Sequence, residues 1–190
     1  MFTLAVFAIA FALDVSVSSL TRDVVATQRL PWYLGIFSWL GVLIWFGGSS
    51  IALAASFRAS PPHRGFLRVF GVFGMILAMD DGFSLHEYTI PQLLGDNAEL
   101  AIYLLYGAVA VWVGVTWFRV LAPVARDLAV AAAICLGASV LGDVVGAPSF
   151  AEDALKFIGV AAWAGVAVAQ AAHALPGASP VDMEGSLPAD

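Results

Sequence analysis

Six segments of this chain are long and apolar enough to cross a membrane as helices. A helix that spans the hydrocarbon core of a bilayer needs about 20 mostly apolar residues. The six candidate segments are residues 2–21, 32–57, 66–86, 98–121, 128–146 and 150–175. We therefore predict an all-α fold, a six-transmembrane-helix bundle that forms a single domain over residues 1–175.

The composition supports the membrane interpretation. Of the 190 residues, 61% are hydrophobic and only 12% are charged, whereas a soluble domain carries roughly 25% charged residues. The net charge of −6 argues against a nucleic-acid partner, because binding to phosphates requires clustered Lys and Arg. Residues 176–190 are rich in Gly, Pro, Ser and acidic residues, so we predict a disordered acidic tail.

The arginines predict the orientation of the bundle. Residues 2–21 have no basic start and no convincing cleavage site, so we expect a retained first span rather than a signal peptide. Arg22 and Arg29 follow this first span. Most arginines belong to the loops after the second and fourth predicted spans, which lie on the opposite side of the membrane, and these arginines are Arg58, Arg64, Arg68, Arg119 and Arg126. Because Lys and Arg favour the cytoplasmic side, we predict a multi-pass protein of the bacterial inner membrane with both termini cytoplasmic.

The polar centre of the sequence lies at residues 79–88, which read MDDGFSLHEY. Three carboxylates, those of Asp80, Asp81 and Glu87, stand beside His86 at the end of the third predicted span. Ionisable side chains within a membrane are costly, and by default they mark a functional site whose partners must be found.

Most of the other ionisable residues of the spans fall at the same end of the bundle. Under the predicted topology the third span ends on the outer side, where the first, fourth, fifth and sixth spans also place an acid. These residues are Asp14, Glu99, Asp143, Glu152 and Asp153, together with Lys156, the only lysine of the chain. We expect one polar cluster near the outer face, with Lys156 as the counter-ion of the carboxylates.

Helical spacing predicts which side chains of the third span face one another. On a regular helix Asp80, Ser84 and Glu87 share one face, because they are four and three residues apart. His86 points roughly 100° or more away from the Asp80 face. The two side chains would therefore meet only if the turn loosens at Gly82.

The same spacing groups residues on two other spans. Glu99, Tyr103 and Tyr106 form a polar stripe on the fourth span. Glu152 and Lys156 are four residues apart on the sixth span, in the order that favours an ion pair. Both groups therefore belong to the predicted polar cluster.

A divalent metal is the first hypothesis for this cluster. Asp80, His86, Glu87 and Asp143 offer oxygen and nitrogen ligands suited to Zn, Ca, Mn or Fe. The cation would activate water or polarise a carbonyl or phosphoryl oxygen of a membrane lipid. Glu87 would act as the general base, with Asp81 as the second candidate catalytic carboxylate. This hypothesis predicts a metal-dependent hydrolase or transferase that acts on a lipid.

Two alternative functions remain open at this point. In the first, the cluster is a structural network of salt bridges in a non-enzymatic scaffold or accessory subunit. In the second, the protein handles protons or ions, which requires polar residues through the full thickness of the membrane. Small residues on the second, fifth and sixth spans would allow a homo-oligomer or a membrane-protein partner.

Two sequence motifs resemble a group of uncharacterised bacterial membrane proteins. The stretch DDGFSLHE at residues 80–87 fits the pattern D-D-x-F-x-L-H-E. The stretch EDALKFIGVAAW at residues 152–163 fits the pattern E-[DE]-x-x-K-x-x-G-x-x-x-W. The resemblance covers the third to sixth spans and implies a small polytopic inner-membrane protein, without implying an activity.

The mixture of Asp, Ser and His near one membrane face is also similar in type to the site of alkaline ceramidase-like intramembrane zinc hydrolases. That superfamily has seven spans and three zinc-binding histidines, two of them in an H-x-x-x-H pair on the last span. This chain has six predicted spans and has Ala169 where such a pair with His173 would begin. The similarity is therefore one of site type only.

Overall fold

The structure, a computed structural model, describes residues 11–12, 14, 35–95, 97–146 and 148–175. Within these residues every regular element is a helix, which confirms the predicted all-α class for this part of the chain. The elements are α1 (Ile36–Ser56), α2 (His63–Gly82), a π-helix (Leu85–Thr89), α3 (Ile90–Leu94), α4 (Asn97–Trp117), a 3-10 helix (Phe118–Val120), α5 (Pro123–Val145) and α6 (Ser149–Ala174). Most of the first predicted span and the predicted tail at residues 176–190 lie outside the described residues.

Four of these helical segments are long and apolar enough to cross a membrane. They are Ile36–Ser56, Asn97–Val120, Pro123–Val145 and Phe150–Ala174, and they match the second, fourth, fifth and sixth predicted spans. The third predicted span corresponds to α2, which is 20 residues long but carries Arg64, Arg68, Asp80 and Asp81. The described residues therefore fit an integral membrane protein and contain four candidate spans, and the count of six spans stays a prediction.

The core of the bundle is an aromatic cluster between α1, α2 and α6. Phe66, Phe70 and Phe73 follow one another on one face of α2, and all three are buried. The Trp163 ring of α6 stacks on Phe70 with ring centroids 4.1 Å apart, and Trp45 of α1 meets Trp163 edge-on at 6.4 Å. Such aromatic pairs contribute about 0.5–1.5 kcal/mol each beyond the area that they bury.

Close packing of α1 against α6 depends on a glycine. A Cβ atom at Gly48 would lie only 2.8 Å from the Cα atom of Ala164, whereas Gly47 faces open space. Small residues at helix contacts allow backbones to approach closely in membrane proteins. Of the two adjacent glycines in α1, only Gly48 is thus required for the close approach to α6.

Helix α4 contributes little to the core. Val113 is its one buried residue within the described range, and side chains such as Leu104 and Leu105 are exposed. An apolar helix surface of this kind requires lipid or a protein partner to cover it.

Gln170 joins three elements at the end of the bundle that carries Arg64, Arg119 and Arg126, which we call the basic end. Its Oε1 atom accepts the backbone N–H of Ala122 at 2.9 Å, and its Nε2 lies 2.8 Å from Nδ1 of His63. The side chain is fully buried. Gln170 is thus a buried polar residue that the sequence analysis did not anticipate.

Candidate functional site

A break in the helix after α2 shapes the candidate site. Helix α2 ends at Gly82, and Ser84 has φ 47° and ψ 45°, a left-handed conformation. The chain then continues as a π-helix, a rare element that is frequent at functional sites. The prediction that Asp80, Ser84 and Glu87 share a face of one regular helix was therefore wrong. The loosened turn lies at Ser84, two residues after the predicted Gly82.

This break brings His86 back onto Asp80. The backbone N–H of His86 donates to Oδ1 of Asp80 at 3.0 Å, and Nδ1 of the imidazole lies 2.5 Å from Oδ2. Both residues are deeply buried, with exposed fractions of 3% for Asp80 and 6% for His86. A carboxylate is only an acceptor, so the ring donates from Nδ1 and the neutral imidazole has its lone pair on Nε2.

Lys156 forms a salt bridge with Asp81. Its Nζ atom binds Oδ1 of Asp81 and lies 3.9 Å from Oε1 of Glu87. Lys156 therefore has the expected role of a counter-ion, and its partner is Asp81 of α2. Within the described residues Lys156 does not pair with Glu152 or Asp153 of its own helix, because the buried carboxylate of Asp81 competes with them.

Glu87 and Tyr103 surround the imidazole. Oε1 of Glu87 lies 3.6 Å from Nε2 of His86, which is longer than a hydrogen bond. The Tyr103 ring packs against the His86 ring with centroids 5.1 Å apart. The Tyr103 hydroxyl donates to Asp143 at 3.2 Å and so connects α4 to α5.

These groups line one end of a cavity of about 820 Å³ between α2, α4, α5 and α6. The ionisable and phenolic residues that line it, which we call the polar cluster, are Asp80, Asp81, His86, Glu87, Tyr103, Tyr106, Asp143, Glu152 and Lys156. The rest of the wall is aliphatic, aromatic or glycine, apart from Ser139. Along α5 the wall extends from Asp143 to Ala129, which is about 20 Å at 1.5 Å per residue.

Four predicted members of the cluster lie apart from the cavity or cannot be placed against it. Ser84, Glu99 and Asp153 do not belong to the described lining. Asp14 is an exposed turn residue with φ 52° and lies outside the unit of residues 37–190 that contains the cavity. Ser139 was missed by the sequence analysis, because a lone serine in an Ala- and Gly-rich span gives no signal.

The predicted metal ligands do not form a metal site in the described part of the chain. No group of three or more His, Cys, Asp and Glu side chains there is arranged to hold a metal ion. Both oxygens of Asp80 are already bound to His86. Binding of a divalent metal therefore stays a prediction, without a ligand set among these residues.

Comparison with known families gives one match. A family model described as a domain of unknown function (DUF8692) matches residues 1–169. The chain belongs to the DUF8692 family. The match includes α1 to α5 and most of α6, and with them every residue of the polar cluster. No curated protein and no solved structure matches this DUF8692 chain.

The polar cluster of this DUF8692 chain is suited to acid–base chemistry. Asp80 fixes both the tautomer and the orientation of His86, as a carboxylate does in a histidine-based general base. Lys156 and Tyr106 add hydrogen-bond donors to the same wall. Such donors stabilise an oxygen atom that becomes negatively charged during a reaction.

Proposed function

We propose that this protein is an integral membrane hydrolase or transferase that acts on a long-chain lipid, with His86 as the general base. One observation carries the proposal. The buried Asp80–His86 pair lies at the polar end of a cavity whose remaining wall is almost entirely apolar. A cavity of about 820 Å³ is large enough for a ligand of lipid size, since ligand sites occupy about 300–1,000 Å³.

In the hydrolytic reaction, Nε2 of His86 takes a proton from a water molecule as its oxygen attacks the carbonyl carbon of an ester or amide. The carbonyl π bond opens, and Lys156 or Tyr106 stabilises the resulting oxyanion. When the carbonyl re-forms, the bond to the leaving group breaks. His86 then returns the proton to the departing oxygen or nitrogen, so the products are a fatty acid and an alcohol or amine. In a transferase, a hydroxyl of a second substrate replaces water.

The proposal assigns the base to His86 rather than to Glu87 or Asp81. Asp81 is held in a salt bridge with Lys156, so its carboxylate is already engaged. The Glu87 side chain is about half exposed, so the surrounding packing holds it less firmly in place. His86 is buried, oriented by Asp80, and lines the cavity.

The topology of the proposal retains all six spans, with residues 2–21 as the first and α2 as the third. The polar cluster then lies near the outer face of a bacterial inner membrane, and both termini are cytoplasmic. The clustering of Arg64, Arg119 and Arg126 near one end, opposite the polar cluster, supports this orientation.

A non-enzymatic scaffold is the second candidate. The observation that favours it is that both buried carboxylates, Asp80 and Asp81, are already paired. The exposed apolar surface of α4 would then contact a second copy or another membrane protein. A scaffold does not require the adjoining cavity, and the cavity is the reason that we prefer the enzyme. The apolar wall argues against a proton or ion pathway, which needs polar groups along its length.

The test is release of fatty acid from lipids by the full-length protein reconstituted in vesicles. The substrates are a long-chain monoacylglycerol and a long-chain N-acyl amine, and the product is quantified by liquid chromatography and mass spectrometry. We expect His86→Ala to lower the rate by about 10²–10⁴-fold, the usual contribution of a general base. His173→Ala is the matched control at the basic end. Equal rates for wild type and His86→Ala would overturn the proposal.

The metal prediction has its own test, which is elemental analysis of the purified protein beside an Asp80→Asn/Glu87→Gln variant. About one Zn, Mn, Fe or Ca ion per chain, lost in the variant, would support a metal-assisted form of the reaction. An equal metal content in both proteins would remove these residues as ligands.

A further inference from the structure

The cavity is not closed along its apolar length. Val111 and Val115 of α4 and Val130 of α5 line its wall. The same three residues are 65%, 81% and 46% exposed. Side chains of a cavity wall that are exposed to this extent are not covered by a neighbouring helix, so the cavity is open beside them, and we call this place the α4–α5 opening.

The α4–α5 opening lies far from the polar cluster along the helix axes. Val115 is twelve residues after Tyr103, and Val130 is thirteen residues before Asp143. At 1.5 Å per residue these separations are about 18 Å and 20 Å. Both helices are candidate membrane spans, so the opening lies at the depth of the hydrocarbon chains rather than in water.

We propose that the substrate is a lipid resident in the bilayer, whose hydrocarbon chain enters the cavity sideways through the α4–α5 opening while its head reaches the polar cluster. This inference rests on the proposed function, since it names the substrate class and route of that same site. A water-soluble substrate would not need an opening bordered by exposed valines, because it would enter at the polar end.

The dimensions of the cavity fit one long hydrocarbon chain. An extended chain advances about 1.25 Å per methylene, given C–C bonds of about 1.52 Å and angles near 111°. A chain whose carbonyl lies beside His86 therefore reaches the α4–α5 opening after about 15 carbons. Chains of this length fill the apolar part, and longer chains extend through the opening into the bilayer.

The loose packing of α4 agrees with this route. Val113 is its one buried residue in the described range, whereas α6 buries Val160, Val166 and Ala167 almost completely. Moving α4 away from α5 therefore breaks few buried contacts, and segments with few such contacts open most readily. Entry of a chain between α4 and α5 is accordingly the route of least disruption.

The experiment narrows the opening with tryptophan and compares two substrates. Val115→Trp and Val130→Trp place a large ring at its border, and Leu104→Trp and Val124→Trp are matched controls at exposed positions outside the described lining. The full-length variants are reconstituted in phosphatidylcholine vesicles. Their rates are measured with a sixteen-carbon monoacylglycerol in the bilayer and with a water-soluble butyrate ester.

We expect the two border variants to lose at least about tenfold in rate on the bilayer substrate, as a change of about 1.4 kcal/mol in access or fit would produce. Their rates on the butyrate ester and the rates of the control variants should stay close to wild type. Equal losses on both substrates, or no loss on either, would overturn the side entry. The proposed function fails separately, through unchanged rates in His86→Ala.

A binding measurement tests the route without relying on catalysis. A sixteen-carbon monoacylglycerol with a photoreactive diazirine at the end of its chain is incorporated into the vesicles and activated by light. Labelling of the peptides that contain Val111, Val115 and Val130, reduced in Val115→Trp, supports the route. Labelling that Val115→Trp leaves unchanged would contradict it.

Discussion

Asp80 binds His86 at two points, through the backbone N–H at 3.0 Å and through the imidazole Nδ1 at 2.5 Å. The first contact holds the chain in its break after α2, and the second fixes the ring. The Asp80 carboxylate thus stabilises the backbone conformation of residues 84–89 and also orients the imidazole of His86.

Replacing Asp80 by Asn should therefore affect stability and activity together. The Asn side chain keeps the volume of Asp80 but has one acceptor oxygen in place of two. Either the backbone N–H or the ring Nδ1–H of His86 is then left without a partner, at a cost of about 1–3 kcal/mol. We expect a lower melting temperature in detergent and a rate of lipid hydrolysis close to that of His86→Ala. A variant with wild-type activity would show that Asp80 does not position the imidazole.

Replacing Lys156 by Met should destabilise the protein, because it leaves the buried Asp81 carboxylate without its counter-ion. Breaking a buried pair in this way costs about 3–5 kcal/mol. The Asp81→Asn/Lys156→Met double variant removes both charges and should recover most of the loss. Thermal or denaturant unfolding of the four proteins forms a double-mutant cycle. Additive losses would mean that the two charges act independently.

Gly74 is the position in α2 where an added methyl group should do most harm. A Cβ atom there would lie 2.8 Å from Nε1 of Trp163 and would overlap Oγ of Ser49. Overpacking of this kind costs about 1–3 kcal/mol, so Gly74→Ala should unfold at a lower temperature. Gly47→Ala is the control, because its Cβ atom meets open space and alanine favours a helix. Equal melting temperatures for the two variants would contradict the packing that we describe around Trp163.

Gln170→Leu tests the junction at the basic end. Leucine fills a similar space but leaves the Ala122 N–H and His63 Nδ1 without this partner, at a cost of about 1–3 kcal/mol for a buried donor. We expect lower thermal stability with little change in lipid hydrolysis per folded molecule, because the polar cluster is at the other end. A selective loss of activity at unchanged stability would instead link this junction to the site.

Hydrophobic segments of adequate length were enough to predict the described helices α1, α2, α4, α5 and α6 to within a few residues. The gathering of charges at one end also followed from sequence, because alternating spans place successive helix ends on alternating sides. Lys156 was recognised as a counter-ion by the cost of a lone charge in a membrane. Its partner Asp81 was not, because the choice among several nearby acids depends on how the helices pack.

The geometry of the site could not be predicted in the same way. Ser84 gives no sequence signal for a left-handed conformation, which is uncommon for any residue other than glycine. Helical spacing consequently separated His86 from Asp80, although they are hydrogen-bonded. The cavity is equally invisible in the sequence, since it arises from the gap between α4 and α5 rather than from any residue type.

Chemical rescue of His86→Ala by imidazole tests the central claim most directly. The variant removes the ring and leaves a space beside Asp80 into which free imidazole would fit. We predict that imidazole restores a concentration-dependent part of the lipid hydrolysis lost in His86→Ala, and that it does not restore activity in Asp80→Asn, whose own histidine is still present. Wild-type hydrolysis by His86→Ala without imidazole would contradict the assignment of His86 as the general base.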